Sequence, residues 1–106
     1  MRYSKINTEY ATSVDVRKNS NQYNLTVHFD ISKIKSLGIY KYLLQVTPDL
    51  LTASIVAENF LSTCISLQDS GSDWITWNIW VYDTNNDANL INNRCGIAFF
   101  LPCIED

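Results

Sequence analysis

The stretch WITWNIWVYD, from Trp74 to Asp83, decides the fold of this chain. Apolar and polar side chains alternate along it with a period of two residues, which is typical of a β-strand and not of a helix. One set of side chains is therefore expected to face a core, and the other set to face away from it. The core-facing set is Ile75, Trp77, Ile79 and Val81, and the opposite set is Trp74, Thr76, Asn78, Trp80 and Tyr82.

A second alternating stretch, YNLTVHFDI, runs from Tyr23 to Ile31. Residues 5–17 also alternate, and residues 18–22 between the two stretches include the turn formers Asn and Ser. The two stretches predict an antiparallel hairpin with a loop of about five residues. Residues 94–104 alternate in the same way and predict a final strand.

Between these strands, the tripeptide Thr47-Pro48-Asp49 has the features of a helix start. Threonine can cap free backbone N–H groups, proline suits the first helical position, and aspartate complements the helix dipole. Apolar residues then follow at spacings of three and four, which predicts an amphipathic helix over roughly 48–66. Residues 39–46 are apolar and fit either a strand or a helix.

The predicted order of elements is strand, strand, helix, strand, strand. This order predicts a single α+β domain over residues 1–106. Its expected architecture is ββαββ-like, with an antiparallel sheet of four to five strands and one main helix packed on one face.

Charge is distributed unevenly along the chain. Seven of the eight basic residues lie in the first 41 positions, and eight of the eleven acidic residues lie after them. The net charge is −3 and the isoelectric point is near 4.9. Direct nucleic-acid binding is not favoured, because nucleic-acid-binding domains usually have an isoelectric point above about 9. A modest basic group remains, formed by Arg17, Lys18, Lys33, Lys35 and Lys41.

The compartment is predicted to be cytoplasmic, with no membrane partner. The first residues lack the apolar core of a secretory signal, and no apolar run approaches the roughly 18–20 residues that span a bilayer. The cysteines Cys64, Cys95 and Cys103 are odd in number and form no C-x-x-C motif. In a reducing compartment they are expected to be buried apolar thiols.

The candidate binding residues lie on and around the tryptophan strand. If only one face of the sheet is covered, the large aromatic rings on the other face provide contact area for a protein partner. Carboxylates at the rim would steer a basic partner towards them. Two alternatives stay open: the sheet is buried on both faces, or the carboxylates are ordinary solvated loop charges. The candidate residues are Trp74, Trp80, Tyr82, Asp69, Asp73, Asp83 and Asp87.

No pattern in the sequence indicates an enzyme, a cofactor or a metal site. Residues 83–89 begin like a calcium loop, but Ala88 stands where the turn needs glycine and Arg94 where a carboxylate is needed. The only histidine, His28, shares a strand face with Asp30, yet no nucleophile or substrate pocket accompanies it. The prediction is therefore a protein without catalytic activity.

A small, acidic, aromatic-bearing chain of this kind is similar in its general profile to bacterial immunity proteins, which neutralise toxin nucleases by occlusion. It is also similar to phage-encoded inhibitors of host defence nucleases, such as those that block CRISPR effectors. No motif specific to either group is present. A third hypothesis is a small enzyme or ligand carrier with a pocket between helix and sheet, lined by Phe60, Trp77 and Phe99. The charge asymmetry would also suit a homodimer.

Overall fold

The computed structural model describes residues 10–19, 21–34, 36–50, 61–83, 88–89 and 95–102. The elements in these residues are seven strands and one short 3-10 helix. In chain order they are β1 (Ala11–Asn19), β2 (Gln22–Phe29), the 3-10 helix (Gly38–Tyr42), β3 (Gln45–Leu50), β4 (Leu61–Ser70), β5 (Trp74–Asp83), β6 (Ala88–Asn89) and β7 (Cys95–Phe100).

The main sheet is antiparallel and has the strand order β1-β2-β5-β4. The short strand β6 pairs with the end of β5, opposite Tyr82 and Asp83. Strands β3 and β7 form a separate antiparallel pair, in which Gln45 lies opposite Phe100 and Leu50 opposite Cys95. The predicted antiparallel sheet is thus confirmed, with β5 as one of its two inner strands.

Alternation along the two inner strands places one set of side chains in the core. On β5, the predicted core-facing residues are all at most 1% exposed. On β2, the matching residues are at most 2% exposed. Burial of these large side chains is the main stabilising contribution to the fold, at about 1.5–3 kcal/mol for a side chain of this size. They are Tyr23, Leu25, Val27, Phe29, Ile75, Trp77, Ile79 and Val81.

The connection that contains the 3-10 helix covers this core. The indole Nε1 of Trp77 donates a hydrogen bond to the carbonyl oxygen of Lys41 at 3.1 Å. The rings of Phe29 and Tyr40 are tilted by 44°, with centroids 5.1 Å apart, which is a favourable aromatic arrangement. Strand β7 contributes to the same core through Ile97 and Phe99.

The predicted helix over 48–66 is wrong, and with it the α+β, ββαββ-like fold class. Where that segment is described, residues 48–50 belong to β3 and 61–66 to β4, while residues 51–60 lie outside the described residues. Throughout the described part, the 3-10 helix is the only helix, and no long helix packs on a face of the sheet. The fold is mostly β.

Strand pairing explains why the helix signal failed. Strand β5 lies inside the sheet, so both of its edges need a hydrogen-bonding partner. Strand β2 pairs with one edge of β5. Strand β4, which a three-residue connection joins to the start of β5, pairs with the other edge. Pro48 is tolerated in β3, where it lies opposite Ile97, because each strand of a two-stranded sheet is an edge strand.

The other sequence predictions are close to the observed elements. The ambiguous residues 39–46 form most of the 3-10 helix and the first residues of β3. The first strand is shifted to Ala11–Asn19, with an irregular register between Ala11 and Ser13. The final strand is present as Cys95–Phe100. None of the described helical residues forms a helix with the length and apolar character needed to cross a membrane.

Candidate protein-binding face

The face of the main sheet opposite the core combines polar and aromatic side chains, and we call it the open face. On the inner strands all of its residues are half-buried, in contrast to the core side. The register aligns them in rows, so that Thr26 of β2 lies opposite Thr76 of β5. Their hydroxyl oxygens are hydrogen-bonded at 2.8 Å. The inner-strand residues of the open face are Gln22, Asn24, Thr26, His28, Trp74, Thr76, Asn78, Trp80 and Tyr82.

A network of amide side chains crosses the middle of this face. The Nδ2 of Asn24 donates to Oε1 of Gln68 at 3.0 Å and also to Oδ1 of Asn78. The Oδ1 of Asn24 accepts a hydrogen bond from Nδ2 of Asn19. Because each of these side chains holds its neighbour, the network fixes the amide groups in place across β1, β2, β5 and β4.

Beside the network lies an open polar depression of about 420 Å³. At its β1 side, Nε of Arg17 forms an ion pair with Oδ2 of Asp15 at 2.9 Å, and both side chains are more than half exposed. An exposed pair of this kind adds little stability, at most about 1 kcal/mol. The residues lining the depression are Asp15, Arg17, Asn19, Asn24, Thr26, His28, Gln68 and Thr76.

The histidine on this face does not form the pair that its position suggested. His28 lies opposite Ser13 on β1 and opposite Trp74 on β5. The Asp30 carboxylate instead accepts hydrogen bonds from the hydroxyl and the backbone N–H of Ser32, at 2.6 and 3.1 Å. The pKa of Asp30 is held below its usual value, mainly by the hydrogen bond from the Ser32 hydroxyl. The hydrogen bond from the Ser32 backbone and the nearby charge of Lys33 lower the pKa further.

The three candidate aromatic residues share the open face, as the alternation predicted. Trp74, Trp80 and Tyr82 are each half-buried. The Trp74 ring lies against Gly71, where a Cβ atom would come within 2.0 Å of the indole nitrogen. Trp80 packs partly against the core residues. Trp74 and Trp80 are therefore held in place by their surroundings, and all three residues offer part of their surface to solvent.

The candidate carboxylates are only partly brought together. Asp69 is exposed, and its Oδ1 accepts a hydrogen bond from the backbone N–H of Ser70 at 2.8 Å. Asp73 is half-buried, and its carbonyl oxygen accepts from the backbone N–H of Phe29 at 2.7 Å. Asp83 is the last residue of β5, opposite Leu61. Asp87 lies outside the described residues.

Charge divides the main sheet into two halves. The β1–β2 hairpin, residues 11–29, contains Arg17 and Lys18 against Asp15, which is +1 with His28 neutral. The β4–β5 hairpin, residues 61–83, contains three aspartates and no basic residue, which is −3. Asp69 and Asp73 take part in none of the ion pairs seen among the described residues. The three aromatic residues, all on β5, and the three aspartates therefore lie in the same hairpin.

The structure does not support the predicted pocket or the predicted burial of Cys64. Trp77 and Phe99, two of the three proposed pocket residues, are 1% and 3% exposed and belong to the packed core. The third, Phe60, lies outside the described residues. Cys64 is a free, exposed thiol on β4, because its side chain is on the open-face side of an outer strand, opposite Trp80.

Two features were missed from the sequence. The amide network links residues up to 54 positions apart, so no local pattern indicates it. The exposure of apolar residues on β4 was hidden because residues 61–66 were assigned to a helix. An alternation of Leu61, Thr63, Ile65 and Leu67 would have indicated the strand.

Comparison with protein-family models, with curated proteins and with solved structures finds no match to this chain. Among the described residues, no group of three histidine, cysteine, aspartate or glutamate side chains is placed to hold a metal ion.

Proposed function

We propose that this protein is a small non-enzymatic inhibitor that binds a basic protein partner through the β4–β5 half of its open face. The most specific form of the proposal is an immunity protein, which neutralises a nuclease toxin by occlusion. The observation that carries it is the coincidence of three half-buried aromatic residues with a hairpin of net charge −3 that has no basic residue.

The aromatic residues supply the contact area of the proposed interface. Tryptophan and tyrosine are enriched among the residues that dominate binding energy, because they bury a large area at a small cost in side-chain entropy. Packing of Trp74 against Gly71 and of Trp80 against the core reduces that cost further, since the rings are held in place before the partner arrives.

The carboxylates act at longer range in this proposal. A nuclease has a basic surface where its substrate binds. The net charge of −3 on the β4–β5 hairpin attracts such a surface. Steering of this kind raises the association rate and falls as salt concentration rises. Rigid aromatic contacts then slow dissociation. Occlusion requires no chemistry by the inhibitor itself.

The partner is to be identified by affinity purification of the tagged protein, expressed at native level in its own host. We expect a basic toxin domain or a host nuclease in stoichiometric amount, and its activity should fall when purified protein is added. The identity of that nuclease separates an immunity protein from a phage-type inhibitor of host defence. Recovery of the protein alone, or a partner that stays fully active when bound, would contradict the proposal.

A matched pair of substitutions then tests the binding face. Asp69 and Asp15 lie in the same row of the sheet, on opposite outer strands, through Thr26 and Thr76. Asp69→Lys and Asp15→Lys make the same change in net charge. Asp69→Lys should slow association about tenfold at low salt, whereas Asp15→Lys should slow it less. Equal effects would show that total charge, and not the β4–β5 half, attracts the partner.

The charge reversal Asp73→Lys with Asp83→Lys extends this test to the ends of β5. Its expected result is slower association and a weaker salt dependence, with an unchanged circular dichroism spectrum. If both affinity and salt dependence remain as in the original protein, the acidic rim has no role in binding.

A further inference from the structure

The two outer strands of the main sheet differ in how their edges are protected. Exposed edges pair readily with other chains, and proteins usually protect them with charged residues and bulges. Strand β1 follows this rule, because Asp15, Arg17 and Lys18 are all exposed and its register is irregular after Ala11. Strand β4 has these protections only near its end, at the exposed Asp69 and the register shift between Leu67 and Asp69. Its residues 61–68 include no charged residue and no proline.

Apolar side chains on β4 are exposed on the side that faces the core elsewhere in the sheet. Ile65 lies opposite Ile79, and Leu67 lies opposite Trp77. Their neighbours on β5 are at most 1% exposed, whereas Ile65 is 37% exposed and Leu67 is 41% exposed. The described part of the chain therefore leaves apolar surface uncovered along β4.

The available edge is short and has defined ends. At one end, the Thr63 hydroxyl donates to the carbonyl oxygen of Val46 at 3.3 Å, which places β3 beside this part of β4. At the other end, the register shifts between Leu67 and Asp69. In the described residues, β5 is the only strand paired with β4. Within the described ranges, no strand pairs with the outer side of the stretch from Cys64 to Leu67.

We propose that this edge of β4 binds an extended, basic segment of a partner protein as an additional antiparallel strand. Backbone hydrogen bonds would supply affinity, and alternate side chains would supply specificity. The proposal rests on the proposed function in one respect, namely that the partner is a basic protein. It adds a second surface to that function, at the edge of the sheet instead of on its open face.

Charge identifies the occupant. The β4–β5 hairpin has a net charge of −3, so pairing β4 with β4 of a second copy would bring two such hairpins together. Like charges across neighbouring strands are destabilising, whereas opposite charges stabilise the pair. The occupant must carry positive charge and must also cover the exposed apolar side chains of β4. A segment in which apolar residues alternate with lysine or arginine does both. Its apolar residues extend the Ile65 and Leu67 surface, and its cations lie near Asp69 and Asp73.

The test uses a fluorescent peptide of alternating lysine and valine as the basic strand, with a glutamate-for-lysine peptide as its control. Binding is measured by fluorescence anisotropy with the full-length protein. We expect saturable binding of the lysine peptide, and at least about tenfold weaker binding of the glutamate peptide, which corresponds to about 1.4 kcal/mol.

Two variants locate the binding site. Ile65→Lys places a charge within residues 64–67, and Ser62→Lys places the same charge on β4 beyond the Thr63 contact. Ile65→Lys should weaken lysine-peptide binding at least about tenfold, and Ser62→Lys by about twofold or less. Circular dichroism confirms that both variants fold. Amide hydrogen exchange of residues 64–67 should slow when the peptide binds.

Three outcomes of the peptide experiments would overturn this proposal. They are no saturable binding of the lysine peptide, equal binding of the two peptides, and equal effects of the two variants. A dimer in sedimentation equilibrium that Ile65→Lys dissociates would also overturn it, because the occupant would then be a second copy of the chain. None of these outcomes contradicts binding through the open face, which the Asp69 and Asp15 variants test separately.

Discussion

Replacement of Trp77 by phenylalanine tests the assignment of the two faces of the sheet, on which both proposals depend. The substitution removes two buried ring carbons, at a cost of about 1.5 kcal/mol. It also leaves the Lys41 carbonyl without the indole donor 3.1 Å away. An unsatisfied, partly buried carbonyl adds about 1 kcal/mol. We therefore expect Trp77→Phe to lower the free energy of unfolding by about 2.5 kcal/mol.

Trp80→Phe is the matched control, because Trp80 is half-buried on the same strand and faces the opposite side. Its cost should stay below about 1.5 kcal/mol. Unfolding in urea, followed by circular dichroism, measures both values. A chain of this size has a slope of about 1–3 kcal/mol per M, so Trp77→Phe should lower the midpoint by about 1–2.5 M.

Fluorescence gives a second, independent measurement of the same assignment. A variant with phenylalanine at Trp74 and Trp80 retains Trp77 as its single tryptophan. Its emission should be shifted to short wavelength and be poorly quenched by acrylamide, because Trp77 is 1% exposed. The reasoning is refuted if Trp77→Phe costs no more than Trp80→Phe, or if Trp77 is quenched as readily as a tryptophan in the unfolded chain.

Three further predictions concern Gly71, Ser32 and Cys64. Gly71→Ala should displace the Trp74 ring, since its new Cβ atom would lie 2.0 Å from the indole nitrogen, and near-ultraviolet circular dichroism should change while the far-ultraviolet spectrum does not. Ser32→Ala should raise the pKa of Asp30 towards its usual 3.8, because the Ser32 hydroxyl bond is the main cause of its lowered value, as a carboxyl titration by nuclear magnetic resonance would show. This contact stabilises the folded protein above the unfolded-state pKa and is lost as pH falls through the lower folded-state pKa, so acid unfolding of Ser32→Ala should depend less on pH in that range. Cys64 should react with a thiol reagent in the folded protein, because it is exposed, and Cys64→Ser should remove that fast reaction; an unchanged fast reaction in the variant would assign it to another cysteine.

Strands β2 and β5 could be predicted from the sequence because each has one buried face. Alternation over Tyr23–Ile31 and Trp74–Asp83 predicts which side chains are buried. The structure agrees over residues 23–29 and 74–82, whereas Ile31 lies beyond the end of β2 and is 57% exposed. The cap-like Thr47-Pro48-Asp49 was misleading, because a helix cap is a local signal and a strand partner is not. An inner β5 needs two partners, and that need overrides helical spacing in the segment that precedes it.

Of the candidate site, the aromatic half was predictable and the rest was not. The parity of β5 is sufficient to place Trp74, Trp80 and Tyr82 on one face. The predicted rim of carboxylates depends on connecting segments, whose geometry no periodicity specifies. The edge of β4 could not be recognised at all without the strand order, because an edge is a property of the whole sheet and not of one segment.

The uneven charge of the chain gains a structural meaning from this strand order. Strands β1 and β4 are three strand spacings apart, which is about 14 Å. Exposed charges at that separation are largely screened at physiological salt, where the Debye length is about 8 Å. Attraction between the charges of β1 and Asp69 of β4 therefore contributes little to folding. The negative charge of β4 and β5 thus remains available to a partner, and it lies beside both the half-buried aromatic residues and the unprotected strand edge.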